Sequence, residues 1–318
     1  MKKKLLLSAS VCLIIIALVL SILLIPKLFW GSERDNSSLH NGESKYTISY
    51  SDSPIRVTIR SPQGFVYSVS DDTVIFTKGE NKVVYPASTT KLLTAIYSLS
   101  VLSKNEIITP SDELELVGEG SSIAYINEGH KISVEMLIEG MLLPSGNDAA
   151  YVLAAAAGRR IANDQSISGK RAVEIFVNGM NAYARSIGLC GTNFTCPDGY
   201  ADETHYTTTE DMVIISRLAL ENDLIVKYAS LYKDDVIYAS GHTNTWYNTN
   251  KMLDPDSVYY SPYVIGLKTG SLDEEYCLVF AFRFEDGREY VAGVFGHDEK
   301  NTRYEDALEI IKSLEDNQ

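Results

Sequence analysis

The chain has 318 residues, enough for one large domain or two of ordinary size. Its composition, 45% hydrophobic and 22% charged, is that of a globular protein. The formal net charge of −14, with no basic run beyond the first four residues, excludes a binder of the nucleic-acid backbone, which needs clustered Lys and Arg.

The amino terminus carries the first clear signal. Lys2, Lys3 and Lys4 precede a charge-free stretch, Leu5 to Pro26, long enough to cross the roughly 30 Å hydrocarbon core as a helix. A cleaved secretory signal would be shorter and end in a small-x-small site. The only such triplet inside the stretch, Ser8-Ala9-Ser10, comes too early for cleavage. Cys12 follows a bulky Val11 and the apolar run continues past it, which argues against lipid attachment there. Residues 1–30 therefore read as an uncleaved signal-anchor, with the lysines in the cytoplasm and everything after Trp30 outside. Residues 31–53 read as a linker, with Gly31 to Glu43 a solvated tether, and residues 54–318 as the folded domain.

From Ile55 to Thr77, the segments IRVTIR, FVYSVS and TVIFT alternate apolar and polar residues between turn-formers, which predicts antiparallel strands. Helical spacing follows over Lys91–Leu102, Val134–Leu143, Ala149–Ala157, Arg171–Ile187 and Thr209–Leu220, the last with a capping box from Thr207 to Glu210. Two strands, Tyr276–Phe284 and Arg288–Gly296, are joined through Glu285-Asp286-Gly287, a hairpin turn signal. A final amphipathic helix carries Tyr304, Ala307, Leu308, Ile311 and Leu314 on one face. Strands at both ends with helices between predict one sheet assembled from distant parts of the chain, with a helical region inserted.

The cysteines and histidines add little. Cys277 sits in an apolar strand pattern and reads as a buried thiol. Cys190 and Cys196 are close enough for a small disulfide outside the cell, though two cysteines do not prove one. The histidines, at 40, 130, 205, 242 and 297, have no metal-ligand spacing, so no zinc site is expected.

Chemistry is concentrated in the stretch YPASTTKLLTA, Tyr85 to Ala95. Ser88 and Lys91 stand three residues apart at a helix start, so the amine can reach the hydroxyl and remove its proton. The helix amino terminus also points N–H groups at a developing oxyanion. Ser-x-x-Lys alone is weak evidence, and Ser230 to Lys233 repeats it by chance. Two further motifs join it. Pro144-Ser145-Gly146-Asn147-Asp148 links two helical patterns through a tight polar turn, and Lys268-Thr269-Gly270 precedes the closing hairpin, where a strand edge can present a cation and a hydroxyl to a carboxylate. Either could be an ordinary turn or strand start; Ser103-Lys104-Asn105 imitates the middle motif but lies too near Lys91 to form another wall of a cleft.

The order Ser-x-x-Lys, Ser-x-Asn, Lys-Thr-Gly resembles that of the penicillin-recognising serine enzymes. The surrounding sequence, EGHKISVEMLIEGMLLPSGNDAA, FVNGMNAYARSIGL, TTTEDM and NTNKML leading to GLKTG, resembles the serine-type D-alanyl-D-alanine carboxypeptidases, low-molecular-mass penicillin-binding proteins of peptidase family S11. The resemblance runs from about Pro54 to Leu314. It implies an α+β fold of the β-lactamase and transpeptidase type, an antiparallel sheet flanked by helices plus a helical subdomain. It further implies that Ser88 attacks the carbonyl between two terminal D-alanines of a peptidoglycan stem peptide, with Lys91 as base. Ser145 would relay the proton to the leaving amine, and Asn147 would hold the substrate amide and orient Lys91. Lys268 and Thr269, with Arg303, would bind the terminal carboxylate beside Gly270, and the N–H groups of Ser88 and Ser271 would form the oxyanion hole. β-Lactam antibiotics would acylate Ser88. No metal or organic cofactor is required, and the expected setting is the outer face of a bacterial cell membrane.

The sequence departs from that pattern after Gly270. The family usually continues with a threonine and a small Ala-Gly pair, whereas SLDEEYCL is one residue shorter, with Leu272 and Glu275 at positions usually small or hydroxylic. The shortening bears on the register of the strand and on the oxyanion donor at Ser271. Many relatives also carry a β-rich second domain after the catalytic one, which is not expected here. Two alternatives are carried forward: a class A-like β-lactamase, for which Glu174 to Asn178 superficially fits the deacylating loop, and a catalytically silent wall-binding homologue. The helical spacing of Val173, Phe176, Val177 and Met180 places Glu174 on a helix instead.

Overall fold

The computed structural model describes residues 46–80, 82–200, 203–273 and 275–315. The chain divides into residues 1–44 and 45–318, and the described residues belong to the second unit. The expected signal-anchor, the tether from Gly31 to Glu43 and Cys12 lie outside the described residues. Among those described, no helix is long and apolar enough to cross a membrane.

In chain order the strands are β1 (Gln63–Ser68), β2 (Thr73–Lys78), β3 (Val83–Val84), β4 (Ile107–Ile108), β5 (Ile132–Ser133), β6 (Thr207–Thr208), β7 (Lys233–Ile237), β8 (Thr243–Tyr247), β9 (Val264–Leu272), β10 (Glu275–Arg283) and β11 (Glu289–His297). The helices are α1 (Lys91–Val101), α2 (Val134–Leu142), α3 (Asn147–Ala162), α4 (Gly169–Ser186), α5 (Thr209–Leu220), α6 (Asp223–Ala229) and α7 (Thr302–Glu315). The main sheet has the order β2-β1-β11-β10-β9, antiparallel throughout. Strands from the two ends of the chain thus meet at β1 and β11, where Phe65 faces Gly293 across the ladder.

Both faces of this sheet are covered, which explains the nearly unbroken apolar run YCLVFAFRF of β10. Successive residues alternate between two cores. Cys277, Val279 and Ala281 join Phe65, Leu92, Leu93 and Val291 on the side of the helical region. Leu278, Phe280 and Phe282 join Val66, Tyr304, Ile310 and Leu314 of α7 on the other side. In the helical region α3 is buried on most of its surface, as its alanine-rich sequence requires. A Cβ at its Gly158 would stand 1.9 Å from Ala172 O, so glycine there sets how closely α3 and α4 pack.

The structure corrects several expectations. The linker does not extend to residue 53: Ser51 N–H donates to Val74 O at 2.9 Å, Val74 N–H donates to Ser49 O at 2.8 Å, and Arg217 stacks over the Tyr46 ring. The alternation of Tyr46, Ile48 and Tyr50 was the available signal. The segment Ile55 to Arg60 forms no strand. The α5 cap is Thr208, whose hydroxyl accepts from Asp211 N–H, while Thr207 belongs to β6. The β7–β8 hairpin was not foreseen, because of its ten residues only Val236 and Trp246 are buried and the rest of the pattern is polar. Cys190 and Cys196 are not bridged: Cys190 is exposed, whereas Cys196 is buried with its sulfur 3.6 Å from His205 Nδ1.

Phe280 is fully buried and stacks on Phe282 with ring centroids 5.5 Å apart. Phe280→Ala is expected to lower unfolding stability by about 3–5 kcal/mol, read as a shift of the urea midpoint.

Candidate active site

The site begins with a single strained turn. Residues Ala87–Thr90 form a 3-10 turn that leads straight into α1, fastened by Thr89 N–H and Thr89 Oγ1, which both donate to Pro86 O. Ala87 adopts φ +45°, a left-handed conformation that costs a residue with a Cβ about 1–3 kcal/mol unless its surroundings impose it. Two glycines supply those surroundings. A Cβ at Gly270 on β9 would lie 2.7 Å from Pro86 O, and one at Gly199 would lie 1.9 Å from Ala87 O. Only backbone without a side chain can approach this closely, so the glycine of Lys-Thr-Gly has a steric reason to be there.

The turn sets Ser88 beside a cavity of about 270 Å³, lined also by Asn147, Ser121, Tyr200, Ser271 and Asp273. Lys91 lies beneath it, fully buried. Its Nζ donates to Ser88 Oγ at 2.8 Å, Asn147 Oδ1 at 2.7 Å and Asp198 O at 2.9 Å. Two of these three partners are oxygens that cannot donate. When the amine loses a proton, its remaining two hydrogens stay on Asn147 and Asp198, and the lone pair turns to the Ser88 hydroxyl. Burial pulls the Lys91 pKa down to about 8, opposed by the carboxylates of Asp198 and Asp148.

Asn147 is the first residue of α3 and is locked from three sides. Its N–H donates to Ser122 O at 2.8 Å, its Nδ2 donates to Ser121 Oγ at 2.9 Å, and its Oδ1 faces Lys91. The neighbouring Asp148 accepts the N–H groups of Ala124, Ile126 and Ala149, which pins the 121–126 loop to the head of α3. Burial nevertheless pushes the Asp148 carboxyl up. Ser145 is buried at φ +62° and is neither a partner of Lys91 Nζ nor part of the cavity lining.

The third motif lies on β9, the edge strand of the sheet. Lys268 is buried and donates to Thr269 O at 3.1 Å, and Thr269 Oγ1 lies 2.6 Å from Thr249 Oγ1. Burial, then the charges of Lys91 and Arg303, push the Lys268 pKa well down. Arg303 does not reach the cavity. It is 2% exposed, and its Nη1 donates to Gly270 O, Ser271 Oγ and Cys277 O at 2.5, 3.0 and 3.1 Å. It braces the back of β9 rather than offering a free guanidinium to a carboxylate. Ser271 is exposed on the cavity side and pairs with Tyr276 of β10. Pairing runs from Leu272 opposite Glu275 to Gly266 opposite Ala281 without a shift, which leaves Ser271 in register.

Sequence reasoning overlooked the loop that closes the site from behind. Thr94 Oγ1 donates to Pro197 O, Asp198 O receives Lys91, Gly199 backs Ala87, and Tyr200 forms cavity wall. Its Pro-Asp-Gly signal reads as an ordinary turn. Glu174 lies on α4, exposed and 3.0 Å from Arg171, away from the cavity, so it does not act as a deacylating glutamate over Ser88. Among the described residues no cluster of His, Cys, Asp and Glu could hold a metal ion.

A buried lysine facing a serine on a helix-leading turn, with an antiparallel edge strand along one wall, defines a serine acyl-transfer enzyme of the penicillin-binding class. Residues 53–298 match the D-alanyl-D-alanine carboxypeptidase family, and the chain belongs to it. It is 31% identical over 267 residues to the D-alanyl-D-alanine carboxypeptidase of Streptomyces sp. (strain K15), covering 80% of this chain and 87% of that protein. It is 30% identical over 250 residues to the carboxypeptidase DacF of Bacillus subtilis (strain 168), covering 76% of this chain but 58% of that longer relative. The crystal structure of the Streptomyces K15 DD-transpeptidase superposes with a TM-score of 0.71 at 29% identity, over 80% of this chain and 97% of that one.

Gly199→Ala would drive a Cβ into the Ala87 carbonyl. It is expected to slow penicillin labelling of Ser88 by about tenfold or more, since about 1.4 kcal/mol of misplacement is a factor of ten, with labelling rate and melting temperature measured together.

Proposed function

We propose that the chain is a serine D-alanyl-D-alanine carboxypeptidase that removes the terminal D-alanine from peptidoglycan stem peptides. The observation that carries this reading is the three-way hydrogen bonding of Lys91, which leaves a lone pair for Ser88 alone once the amine is neutral. Ser88 Oγ attacks the carbonyl carbon of the penultimate D-alanine while its proton passes to Lys91 Nζ. The oxygen of that carbonyl becomes an oxyanion between the N–H groups of Ser88 and Ser271. The tetrahedral intermediate then expels the last D-alanine, whose amine takes the proton held by Lys91. Water attacks the ester, returns a proton through Lys91 and frees Ser88.

The substrate's terminal carboxylate has a reason to settle along β9. Burial, and after it the charges of Lys91 and Arg303, depress Lys268, and an incoming anion opposes that depression. Lys268 is the buried lysine of that strand, and Arg303 acts by holding Gly270 and Ser271 in place. β-Lactams, which present a carboxylate beside a strained amide, acylate Ser88 by the same first step. The domain acts outside a bacterial cell, tethered through residues 1–30 in a single pass; the support for this is the lysine triplet followed by the charge-free run Leu5 to Pro26.

Release of D-alanine from a stem pentapeptide is expected from the wild-type chain and not from Ser88→Ala. Release without Ser88, or none from folded wild type, rejects the reading, and the second result favours a silent wall-binding homologue. Rapid turnover of penicillin would favour a β-lactamase instead. Because Lys91 must be neutral to accept a proton, acylation is expected to rise with pH through a midpoint near 8, and Lys91→Ala is expected to abolish it with the fold intact.

A further inference from the structure

Asp198 stands in the loop between α4 and β6, directly before the glycine that backs the nucleophile turn. It is 1% exposed. Its main-chain oxygen accepts from Lys91 Nζ at 2.9 Å, and its Oδ1 accepts from Tyr200 N–H at 3.3 Å. Its Oδ2 is buried with no N–H or O–H donor, and the polar side chain that faces the carboxylate is the weakly donating Cys196 thiol. A buried carboxylate oxygen in that state is costly unless a charge nearby compensates it. The cation that this loop contacts is Lys91, which is itself fully buried.

We propose that Asp198 is a positioning residue for Lys91: a fixed negative charge, walled off from water, that stabilises the Lys91 ammonium opposite Ser88 and sets the pH at which the amine becomes a base. The proposal rests on the reading of Lys91 as the general base.

The other groups facing Lys91 do not fill this role. Asp148 of α3 has three backbone N–H donors that already balance its charge. The Cys196 thiol, in the same loop as Asp198, is pushed up by burial and then by the Asp198 charge, so it remains neutral. Tyr151 of α3, a neighbour of Asp198, is pushed up by burial and then by that charge, and it too stays uncharged. Lys268 of β9 is a repelling neighbour, with Arg303 of α7 behind it. Of the anions acting on Lys91, Asp198 has the largest effect after burial itself.

The test compares the full-length chain with Asp198→Asn, which keeps the shape, the main-chain oxygen and an acceptor for Tyr200 N–H. Two quantities are followed from pH 5 to 10: the rate of Ser88 acylation by penicillin, and the 13Cε resonance of Lys91 in lysine-labelled protein. Removing the charge is expected to lower both midpoints by about one pH unit, as for loss of one opposite charge a few ångströms away. Equal midpoints in the two proteins overturn the proposal, even if the variant is slower, because a merely structural residue changes the plateau and not the midpoint. Should Asp198→Asn fail to fold, Asp198→Glu keeps the charge and is expected to retain the wild-type midpoint at a reduced rate; a midpoint one unit lower overturns the proposal. Absence of acylation in wild type would reject Ser88 and Lys91 as the catalytic pair, while the Lys91 resonance would still report whether Asp198 governs its charge.

Discussion

Burial of Lys91 is the constraint on which the rest of the site depends. An ammonium taken out of water must find hydrogen-bond acceptors or lose its proton, and this protein arranges both outcomes. The acceptors come from three separate parts of the chain: the nucleophile's own turn, the head of α3, and the loop ending at Gly199. Each is rigid for its own reason. The α3 contribution is fixed by Asp148 and its backbone donors, and the loop by Thr94 and by contact with the turn. Local folding and acid–base chemistry are therefore one problem here, because whatever places the acceptors also determines when the amine is free.

The electrostatics divide along the same line. On the Lys91 side, buried carboxylates at 148 and 198 moderate the effect of burial, so the amine titrates near the range where an enzyme works. On the β9 side no carboxylate among the described residues balances Lys268, which burial and then the charges of Lys91 and Arg303 push well down. A substrate carrying a terminal carboxylate meets this unbalanced side of the site. The asymmetry distinguishes the lysine that exchanges protons from the lysine that attracts an anion, although both are deeply buried.

Much of this was legible in the sequence. The helix patterns of α1, α2, α4 and α5 agree with the structure within a few residues, because each buries one face and repeats at helical spacing. Lys91 joins Ser88 of the first motif to Asn147 of the second, and Gly270 of the third packs against the turn that carries Ser88. The features without a sequence signal had little apolar pattern. The β7–β8 hairpin buries only Val236 and Trp246, and the Asp198 loop has no periodicity at all. Arg303 was expected to help anchor the substrate carboxylate and instead braces the back of β9, because a matching position along the chain does not tell on which side of a strand the guanidinium falls. Cys190 and Cys196 looked pairable because they are close along the chain, but one faces water and the other His205.

The two glycines that press on Ala87 come from positions more than a hundred and more than a hundred and eighty residues further along the chain, by the numbering of Ala87, Gly199 and Gly270. A left-handed alanine has no local cause to persist, so the nucleophile turn takes its working shape only when both distant segments have docked. During synthesis Ser88 is made early and β9 late. Until β9 is in place, the turn that carries Ser88 lacks one of the two contacts that hold it. The shape of the nucleophile turn is thereby tied to completion of the fold.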